Sequence, residues 1–338
     1  MPTRAARLTA GFEPLLARLA GGATQYFGDA RTSLEPVGRL ERPFSDLLRV
    51  RVTADGRESH AFVKVFRPRG SDPQEIAQLR RWVEREYRAT ARLHEALRGR
   101  PGLTALRPVA VFPDSLAIVT EEAAGLPLDR VLRRALWGAS SATPLEAIAG
   151  RIGAWIRTYQ GVTESTGVLS LEERRDYLDV RLHRLVPLLL DDRERARALA
   201  LFDDLAARVS PAVLPLVAIH ADLCPSNILV APDGGVTVLD FAMAKTGSRL
   251  HDVAHLYMHL EFLGWRPRPR ASRVPSVQRA LVAGFDPAVT PADPLFRLML
   301  LQHVVCHAVQ RVEAAGGRLS AARRWVLRRR WRRGMGVV

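Results

Sequence analysis

One short segment gathers most of the residues that could do chemistry. Residues 218–245 read AIHADLCPSNILVAPDGGVTVLDFAMAK and place His220, Asp222 and Asn227 in the pattern H-x-D-x-x-x-x-N. Asp240 follows thirteen residues after Asn227. The segment therefore offers a carboxylate that can accept a proton, together with oxygen atoms of the kind that Mg²⁺ prefers as ligands.

This combination is what phosphoryl transfer from a nucleotide to a hydroxyl requires. Asp222 would orient the acceptor hydroxyl and take its proton, while Asn227 and Asp240 would hold the Mg²⁺ that bridges the phosphates. Pro225 stiffens the loop between Asp222 and Asn227 and so helps to fix both side chains. The same residue types are common in ordinary turns, which is the alternative interpretation. The apolar strand before the loop and the hairpin that ends in Asp240 favour the catalytic one.

A lysine on a predicted strand gives a second signal. Of the fifty basic residues, only Lys64 and Lys245 are lysines, and a compact ammonium is not equivalent to a planar guanidinium. Lys64 lies inside the strand HAFVKVF, residues 60–66, where a charge is costly unless it is paired. The next helix offers Glu84 and Glu86 as partners. A strand lysine paired with a helix glutamate holds nucleotide phosphates in kinases; the alternative is a solubilising charge on an edge strand.

The elements that must position these residues change character near residue 122. Before that point we predict a short helix at 12–20 and a long one at 73–97. The strands predicted in the same region are 33–40, 46–54, 60–66, 106–112 and 115–122. The Gly- and Pro-containing stretch AAGLPL, residues 123–128, is a predicted linker. Beyond it we predict helices at 128–137, 144–162, 171–190, 192–208, 275–284 and 293–314, with others near His251 and 318–333.

The predicted fold class is therefore α+β, with a small antiparallel-sheet lobe, containing one main helix, and a larger, mostly helical lobe. The predicted boundaries are 1–122 for the nucleotide-binding lobe, 123–128 for the hinge, 129–317 for the helical lobe with the catalytic loop, and 318–338 for a basic terminal helix.

Composition agrees with a globular protein, because 47% of the 338 residues are apolar and none of the apolar runs reaches eighteen residues. The N-terminus lacks the apolar core of a signal peptide, so a cytoplasmic location is expected. Cys224 and Cys306 are the two cysteines, and a single pair argues for no disulfide scaffold.

Two segments resemble motifs of the aminoglycoside phosphotransferase and choline kinase type family. HADLCPSNILV is similar to its catalytic loop, and VTVLDFAMAKTGSRLHDVAHLY to its metal-binding segment with a trailing D-[LV]-A. The resemblance covers residues 33–310 and implies a bilobal fold similar to that of protein kinases. It implies an enzyme that uses ATP or GTP and Mg²⁺ to phosphorylate a hydroxyl. Asp222 would be the base, Asn227 and Asp240 the Mg²⁺ ligands, and His220 a structural residue of the loop.

The resemblance assigns supporting roles to five further residues. Lys64 would hold the α- and β-phosphates, with Glu86 as its preferred partner. Asp252, in HDVAH, would brace the catalytic loop through hydrogen bonds to its backbone. The backbone of Glu121 and Ala123, between the lobes, would hydrogen-bond the nucleotide base.

Several positions depart from the protein-kinase pattern. No G-x-G-x-x-G stands over the phosphates; GRLERPFSD at 38–46 fills that place, with Ser45 the best candidate for a phosphate contact. DFA replaces D-F-G, Cys224 stands where protein kinases carry a lysine, and no A-P-E segment follows. These departures favour a small-molecule kinase. Ala242 stands where many relatives carry a glutamate, which removes a carboxylate that could support the metal.

The excess of basic residues in the C-terminal part of the chain indicates which kind of acceptor the protein could bind. Residues 251–338 hold fifteen arginines and five acids. A polycationic aminoglycoside needs carboxylates, so the composition favours a neutral or anionic hydroxyl compound, such as a sugar, a glycan precursor or a lipid-linked headgroup. The net charge of +15 also fits a genome that favours arginine codons.

The last segment, residues 318–338, has eight arginines, two tryptophans and no acid. Trp325 and Trp331 among arginines suit an anionic membrane surface, where the rings sit at headgroup level. They also suit nucleic-acid phosphates, which we favour least. The third interpretation is a final helix whose tryptophans pack on the helical lobe while the arginines face water.

Five histidines recur at helical spacing, namely His251, His255, His259, His303 and His307. Pairs at i and i+4 can bind zinc, yet no H-E-x-x-H pattern is present, so we predict packing and polar substrate contacts.

Three functions compete at this point. The leading one is a small-molecule kinase. The second is a kinase-like protein that binds a nucleotide or ligand without turnover, and the third is a membrane-surface protein that acts through its basic tail. The oligomeric state has no signature in the sequence.

Overall fold

The computed structural model describes residues 8–138, 144–162, 167–265, 268–316 and 319–338. By its internal contacts the chain divides into two compact units. The first unit comprises Met1–Leu126 and Leu229–Ala244, and the second comprises Pro127–Ile228 and Lys245–Val338.

The first unit is built on a five-stranded antiparallel sheet in the spatial order β1-β2-β3-β6-β5. Its strands are β1 (Ser33–Glu41), β2 (Ser45–Ala54), β3 (Arg57–Phe66), β5 (Pro108–Phe112) and β6 (Ala117–Glu121). Asp55 and Gly56 close the β2–β3 hairpin with φ angles of 50° and 70°, the positive values that a tight hairpin turn needs. Two short helices, α1 (Glu13–Gly21) and α2 (Ala23–Phe27), precede the sheet, and Leu15 and Leu19 join its apolar core.

One long helix, α3 (Pro73–Leu97), supplies the other half of this unit. It begins where the Asp72 side chain accepts the Gln74 N–H at 2.9 Å, with proline at the first helical position. Its buried residues recur every three or four positions: Leu79, Val83, Glu86, Thr90, Leu93 and Leu97. Glu86 therefore lies on the buried stripe of the helix.

A smaller sheet has the order β4-β10-β9-β7, with β4 (Leu103–Ala105), β7 (Leu126–Pro127), β9 (Ile228–Val230) and β10 (Val236–Val238). β10 pairs with β4 in parallel. Gly125 has a φ of +131°, and a Cβ there would lie 2.6 Å from the Val230 carbonyl oxygen, so the position requires glycine.

The second unit is mainly helical. Its helices are α4 (Leu128–Trp137), α5 (Leu145–Val162), α6 (Leu171–Leu185), α7 (Asp192–Ala206), α8 (His251–Gly264), α9 (Val274–Phe285), α10 (Pro294–Glu313) and α11 (Ala321–Val337). Glycines let α5 and α9 approach closely, because a Cβ on Gly284 would lie 2.2 Å from the Gly150 carbonyl oxygen. The strands β8 (Leu216–Ile219) and β11 (Lys245–Ser248) pair antiparallel beside these helices.

The α+β fold class is confirmed, whereas several element boundaries differ from the predictions. The helix predicted at 171–190 ends at Leu185, because Val186 precedes a proline and is extended, with φ −89° and ψ 131°. The hairpin predicted to end in Asp240 has its last strand residue at Val238, because Asp240 has a left-handed backbone with a φ of 68°. Residues 229–244, predicted with the helical lobe, cluster with the first unit, where β10 pairs with β4. Among the described residues, none of the helices is long and apolar enough to span a membrane.

Candidate active site

In the first unit, Lys64 is held by two carboxylates. Its Nζ lies 3.0 Å from each carboxylate oxygen of Glu86 and 2.8 Å from Asp240 Oδ1. The side chains of Lys64 and Glu86 are 14% and 8% exposed, whereas that of Asp240 is 44% exposed. Of the two glutamates that the sequence offers, Glu86 makes this contact, while Glu84 pairs with Arg88 at 2.6 Å on the surface.

Burial and charge act in opposite directions on this group. Burial disfavours the charged form of Lys64, but the carboxylates of Glu86 and Asp240 outweigh it and raise the pKa of the ammonium. Burial raises the pKa of Glu86, and the nearby Lys64 ammonium only partly offsets that increase. Lys64 therefore stays cationic, ready to contact anionic oxygen atoms.

Replacing Glu86 with glutamine is expected to destabilise the protein by about 3 kcal/mol, because it removes one partner of a buried ion pair. The matched control is Glu84→Gln on the same helix, which breaks only an exposed pair and should change stability by less than about 0.5 kcal/mol. Urea unfolding of both variants checks this. Equal midpoints would show that Lys64 does not depend on Glu86.

Asp240 belongs to a turn that packs on α3. Residues Phe241–Met243 form one turn of 3₁₀-helix, and Ala242 packs with Phe66, Leu79 and Val83 in an apolar cluster. Position 242, where the family resemblance implies a glutamate, is thus part of the core in this chain. The Arg85 guanidinium donates a hydrogen bond to the Ala244 carbonyl at 3.1 Å. The sequence did not indicate this contact.

The predicted nucleotide contacts of the first unit lie in the five-stranded sheet and just after it. Ser45 begins β2, is buried, and pairs with Phe66. The Glu121 N–H bonds the Arg107 carbonyl at 3.0 Å, and the Glu121 side chain pairs with Arg107 at 2.7 Å. In the described part of the chain, no hydrogen-bond partner is found for the N–H of Ala123.

Phe44 is an aromatic candidate that the sequence analysis missed. It stands just before Ser45, at the place of the absent glycine-rich loop, with 60% of the residue exposed. The Arg69 guanidinium lies 5.4 Å from the centre of its ring.

In the second unit, the loop after β8 holds Asp222 and Asn227 together. Asn227 Nδ2 donates to the Asp222 carbonyl at 3.0 Å and to its carboxylate Oδ2 at 3.2 Å. His220 is fully buried, and its Nδ1 accepts the Asp222 N–H at 3.3 Å. Burial, followed by the negative charge of Asp222, raises the pKa of Cys224. The thiol is therefore protonated and neutral at the position where protein kinases carry a lysine.

Asp252, at the start of α8, braces this loop. Its carboxylate is 1% exposed and accepts the backbone N–H groups of His220 at 2.7 Å and Ala221 at 3.0 Å. Burial opposes ionisation of Asp252, but hydrogen bonds from the His251 side chain and the His220 backbone help to lower its pKa. Ala221 has a φ of 65°, a strained value for a residue with a Cβ. The carboxylate therefore holds a backbone conformation that alanine rarely adopts.

The residues present suit Mg²⁺ by their chemistry. Asp240 offers carboxylate oxygens, and Asn227 offers an amide oxygen, since its amide nitrogen is used toward Asp222. Mg²⁺ keeps several waters and binds substrate phosphates, so one or two protein ligands suffice. Asp240 lies in the first unit and Asn227 in the second.

Five histidines of α8 and α10 form one packed cluster, consisting of His251, His255, His259, His303 and His307. The rings of His255 and His303 stack with centroids 4.4 Å apart, and His251 meets His303 edge-on at 4.5 Å. Nε2 of His259 lies 3.2 Å from Nε2 of His255. In the described part of the chain, none of the groups of three or more His, Cys, Asp or Glu residues is arranged to hold a metal.

Four histidines of this cluster are uncharged at neutral pH, and the cluster is linked to the brace. Burial lowers the pKa of His255 and His303 far below the usual value, that of His259 to about 4 and that of His307 to about 3. Nε2 of His303 lies 2.9 Å from the His251 carbonyl, and Nδ1 of His251 lies 3.1 Å from Asp252 Oδ1. The cluster therefore packs behind the carboxylate that braces the loop.

Comparisons with known proteins identify the family and the fold of this chain. A sequence model of the phosphotransferase enzyme family matches residues 41–290. A choline/ethanolamine kinase family protein of Mesorhizobium loti shares the fold with a TM-score of 0.58 and 15% identity, over 97% of this chain and 94% of that chain. An aminoglycoside phosphotransferase of Alicyclobacillus acidocaldarius has a TM-score of 0.54 and 17% identity, over 89% of each chain.

A third solved structure contains a nucleotide analogue. An amicoumacin kinase in complex with AMP-PNP and Ca²⁺ has a TM-score of 0.54 and 14% identity, over 98% of this chain and 95% of that chain. At these identities the solved structures establish the fold alone. No curated protein sequence matches the chain. Because the family match spans most of the sequence, including Lys64, Asp222 and Asp240, the chain belongs to the phosphotransferase enzyme family and is a phosphotransferase with a protein-kinase-like α+β fold.

Proposed function

We propose that this enzyme transfers the γ-phosphate of ATP or GTP to a hydroxyl of a small molecule. The acceptor classes are a sugar, a glycan precursor, a lipid-linked headgroup or an aminoglycoside-like compound. The observation that carries the proposal is the buried ammonium of Lys64, held by Glu86 and Asp240. A charge placed there at such cost in desolvation is explained by an anionic ligand that it contacts.

Asp222 accepts the proton of the acceptor hydroxyl. As the acceptor oxygen forms its bond to the γ-phosphorus, the bond to the bridging oxygen of the leaving nucleoside diphosphate breaks, and the hydroxyl proton passes to the Asp222 carboxylate. The Asn227 amide, 3.2 Å from that carboxylate, orients it. Asp252 keeps the loop in its strained conformation through the His220 and Ala221 N–H groups.

Nucleotide binding belongs to the first unit. Lys64 contacts the α- and β-phosphates, Ser45 is the candidate for a further phosphate contact, and the backbone of Glu121 and Ala123 hydrogen-bonds the base. When bound, Mg²⁺, with Asn227 and Asp240 as its protein ligands, neutralises charge on the phosphates.

The test is transfer of labelled γ-phosphate from ATP and GTP, with and without Mg²⁺. The acceptors are sugars, sugar phosphates, aminoglycosides and lipid-glycan fractions. Mg²⁺-dependent label on one class would support the proposal and identify the acceptor. Nucleotide binding without transfer to any class would instead support the second function, a non-catalytic binder. Absence of nucleotide binding would refute both.

We further propose that α11 places the enzyme on anionic membranes. Trp331 is buried, with 5% of its surface exposed, whereas Trp325 is 61% exposed. Arg329 and Arg332 follow Trp325 by four and seven residues and share its face. The Arg329 guanidinium lies 5.4 Å from the centre of the Trp325 ring. An exposed indole flanked by arginines suits the headgroup region of an anionic bilayer.

Replacing Arg329 and Arg332 with glutamine is expected to weaken binding to phosphatidylserine-containing vesicles by roughly 10-fold or more, at about 1 kcal/mol per arginine. Co-sedimentation with anionic and neutral vesicles measures the effect. The control is Arg208→Gln. Arg208 is an exposed arginine just after α7 that pairs with Asp204. Equal binding to both vesicle types would contradict the membrane role. Binding to an oligonucleotide alone would support the nucleic-acid interpretation.

A further inference from the structure

A group of positive charges lies in the second unit. α6 carries Arg174, Tyr177 and Arg181 at spacings of three and four residues, which places all three on one face of the helix. Both arginines are half-buried. Within the described part of the chain, no carboxylate forms an ion pair with either of them.

Other arginines on the same helix are treated differently. Arg175 pairs with Asp203 at 2.7 Å, and Arg184 pairs with Glu313 at 3.4 Å. Arg175 is half-buried, like Arg174 and Arg181, and its side chain is 40% exposed. Within the described residues, acids pair with Arg175 and Arg184 but with neither arginine of the face around Tyr177.

Tyr177 lies between the two arginines on this face and contacts Arg181 and Cys306. The Arg181 guanidinium carbon lies 3.4 Å from the centre of the Tyr177 ring, a stacked arrangement, and the Tyr177 hydroxyl lies 3.6 Å from Cys306 Sγ on α10. Burial raises the pKa of Tyr177, so its hydroxyl stays neutral. A stacked guanidinium keeps its N–H donors in one plane, which suits bidentate contact with a carboxylate or a phosphate.

Lys245 adds a third charge and connects the face to the catalytic loop. It begins β11 and pairs in register with Ile219, the residue that immediately precedes His220. Asp222 stands three residues after Ile219. Burial, and then the positive charges of Arg174 and Arg181, lower the pKa of Lys245, so the three cations lie within each other's field. Asp252 and Cys306 act on Lys245 in the opposite direction.

We infer that Arg174, Arg181 and Lys245 bind an anionic group of the acceptor, a phosphate or a carboxylate, so that the substrate is a hydroxyl compound that already carries negative charge. The inference rests on the proposed function, because it names the acceptor of that reaction. The charges of Arg174 and Arg181 act on Lys245, and like charges repel each other until an anion joins them. The same charges repel a polycationic aminoglycoside.

Binding without turnover is the first test. Inorganic phosphate is the probe, with ADP and Mg²⁺ present at saturation to occupy the nucleotide site, and with ionic strength held constant. Thermal stabilisation by phosphate gives its Kd. Arg174→Gln and Arg181→Gln are each expected to raise the Kd by roughly 10-fold, the typical effect of losing a charged hydrogen bond. Arg175→Gln, adjacent on the same helix, should leave it unchanged. Equal phosphate Kd values in all four proteins would overturn the inference.

Turnover with paired acceptors is the second test. The pairs are glycerol with glycerol 3-phosphate and glucose with glucose 6-phosphate, with glycerate as the carboxylate and 1-acylglycerol 3-phosphate as the lipid-borne phosphate. We expect transfer to charged members. In Arg181→Gln the KM for them rises roughly 10-fold while kcat stays within about 2-fold. The last compound distinguishes a lipid headgroup from a free phosphate ester.

The two proposals fail in different ways. Transfer to neutral acceptors alone, with a KM unaffected by Arg174→Gln and Arg181→Gln, would overturn the anionic-acceptor inference and leave the kinase intact. Loss of nucleotide binding would refute the proposed kinase. The phosphate Kd in the absence of nucleotide would still decide whether Arg174 and Arg181 bind an anion.

Discussion

Replacing Asp222 with asparagine is expected to lower kcat by roughly 10²–10⁴-fold, the usual contribution of a general base. Asparagine has nearly the same shape and keeps an oxygen that can accept the Asn227 amide, now 3.2 Å from the carboxylate. It has no basic site for the hydroxyl proton at neutral pH. Because the change leaves Lys64 untouched, nucleotide affinity should stay within about 3-fold of the original. Single-turnover transfer and nucleotide titration measure the two effects.

Asp204→Asn is a suitable control for this substitution. Asp204 is an exposed α7 residue that pairs with Arg208 at 2.9 Å, so the variant makes the same chemical change far from the loop in sequence. Its kcat should match that of the parent enzyme. If Asp222→Asn kept its kcat, the proton would have to leave through another group. If it lost both turnover and nucleotide affinity, the substitution would have disturbed the fold as well as the base.

Acidification is expected to unfold the enzyme at a pH well above the usual pKa of carboxylates. Four histidines of the cluster, His255, His259, His303 and His307, have a lowered pKa in the folded state. His303 is buried and the other three are partly buried. Below pH 6.5 the unfolded chain binds protons that the folded protein refuses, so the free energy of unfolding falls as the pH falls. Each histidine contributes about 1.36 kcal/mol per pH unit, and four give roughly 5 kcal/mol per unit.

That slope is large compared with the total stability of a protein, about 5–15 kcal/mol. Stability should therefore be steady above pH 7, fall steeply from about pH 6.5, and vanish near pH 5. The loss continues until the pH reaches the folded-state pKa, about 4 for His259 and about 3 for His307. Urea midpoints at a series of pH values between neutral and mildly acidic measure the slope.

Single substitutions separate this mechanism from general acid unfolding. His307→Gln removes one titrating group and should reduce the slope by about a quarter. His183→Gln, on the exposed surface of α6, should leave the slope unchanged. A midpoint that stays flat from pH 7 to pH 5 in the parent protein would show that the folded cluster accepts protons without cost.

The order of the elements and the family motif around Asp222 could be predicted because their signals are local. The Asp-Gly turn between β2 and β3 depends on the φ angles of two neighbouring residues. Similarly, the bounds of α3 at Pro73 and Leu97 follow from an apolar period that lies within one segment. Lys64 was notable as a lysine in a chain of arginines, which requires no knowledge of its neighbours.

Other features depend on residues that are distant in the chain. Nothing local distinguishes Arg174 from Arg175, and only the position of Asp203 on α7 decides which of them is paired. The histidine spacing on α8 can be read from the sequence. The lowered pKa of His255, however, follows from its burial against His303 of α10. The predicted helix at 171–190 failed at Val186, where the constraint imposed by the next proline outweighed the apolar period.

The sequence by itself determined the α+β order of elements, the phosphotransferase motif around Asp222, and the presence of a lysine on a buried strand. These are properties of residue type and spacing, which backbone geometry converts directly into local structure. Tertiary structure alone decided that Glu86, and not Glu84, holds Lys64, and that Ala242 is a core residue. It also left Arg174 and Arg181 without acidic partners in the described part of the chain. The reason is physical, since burial and the charge of distant neighbours set the energy of an ionised group, and neither can be read along the chain.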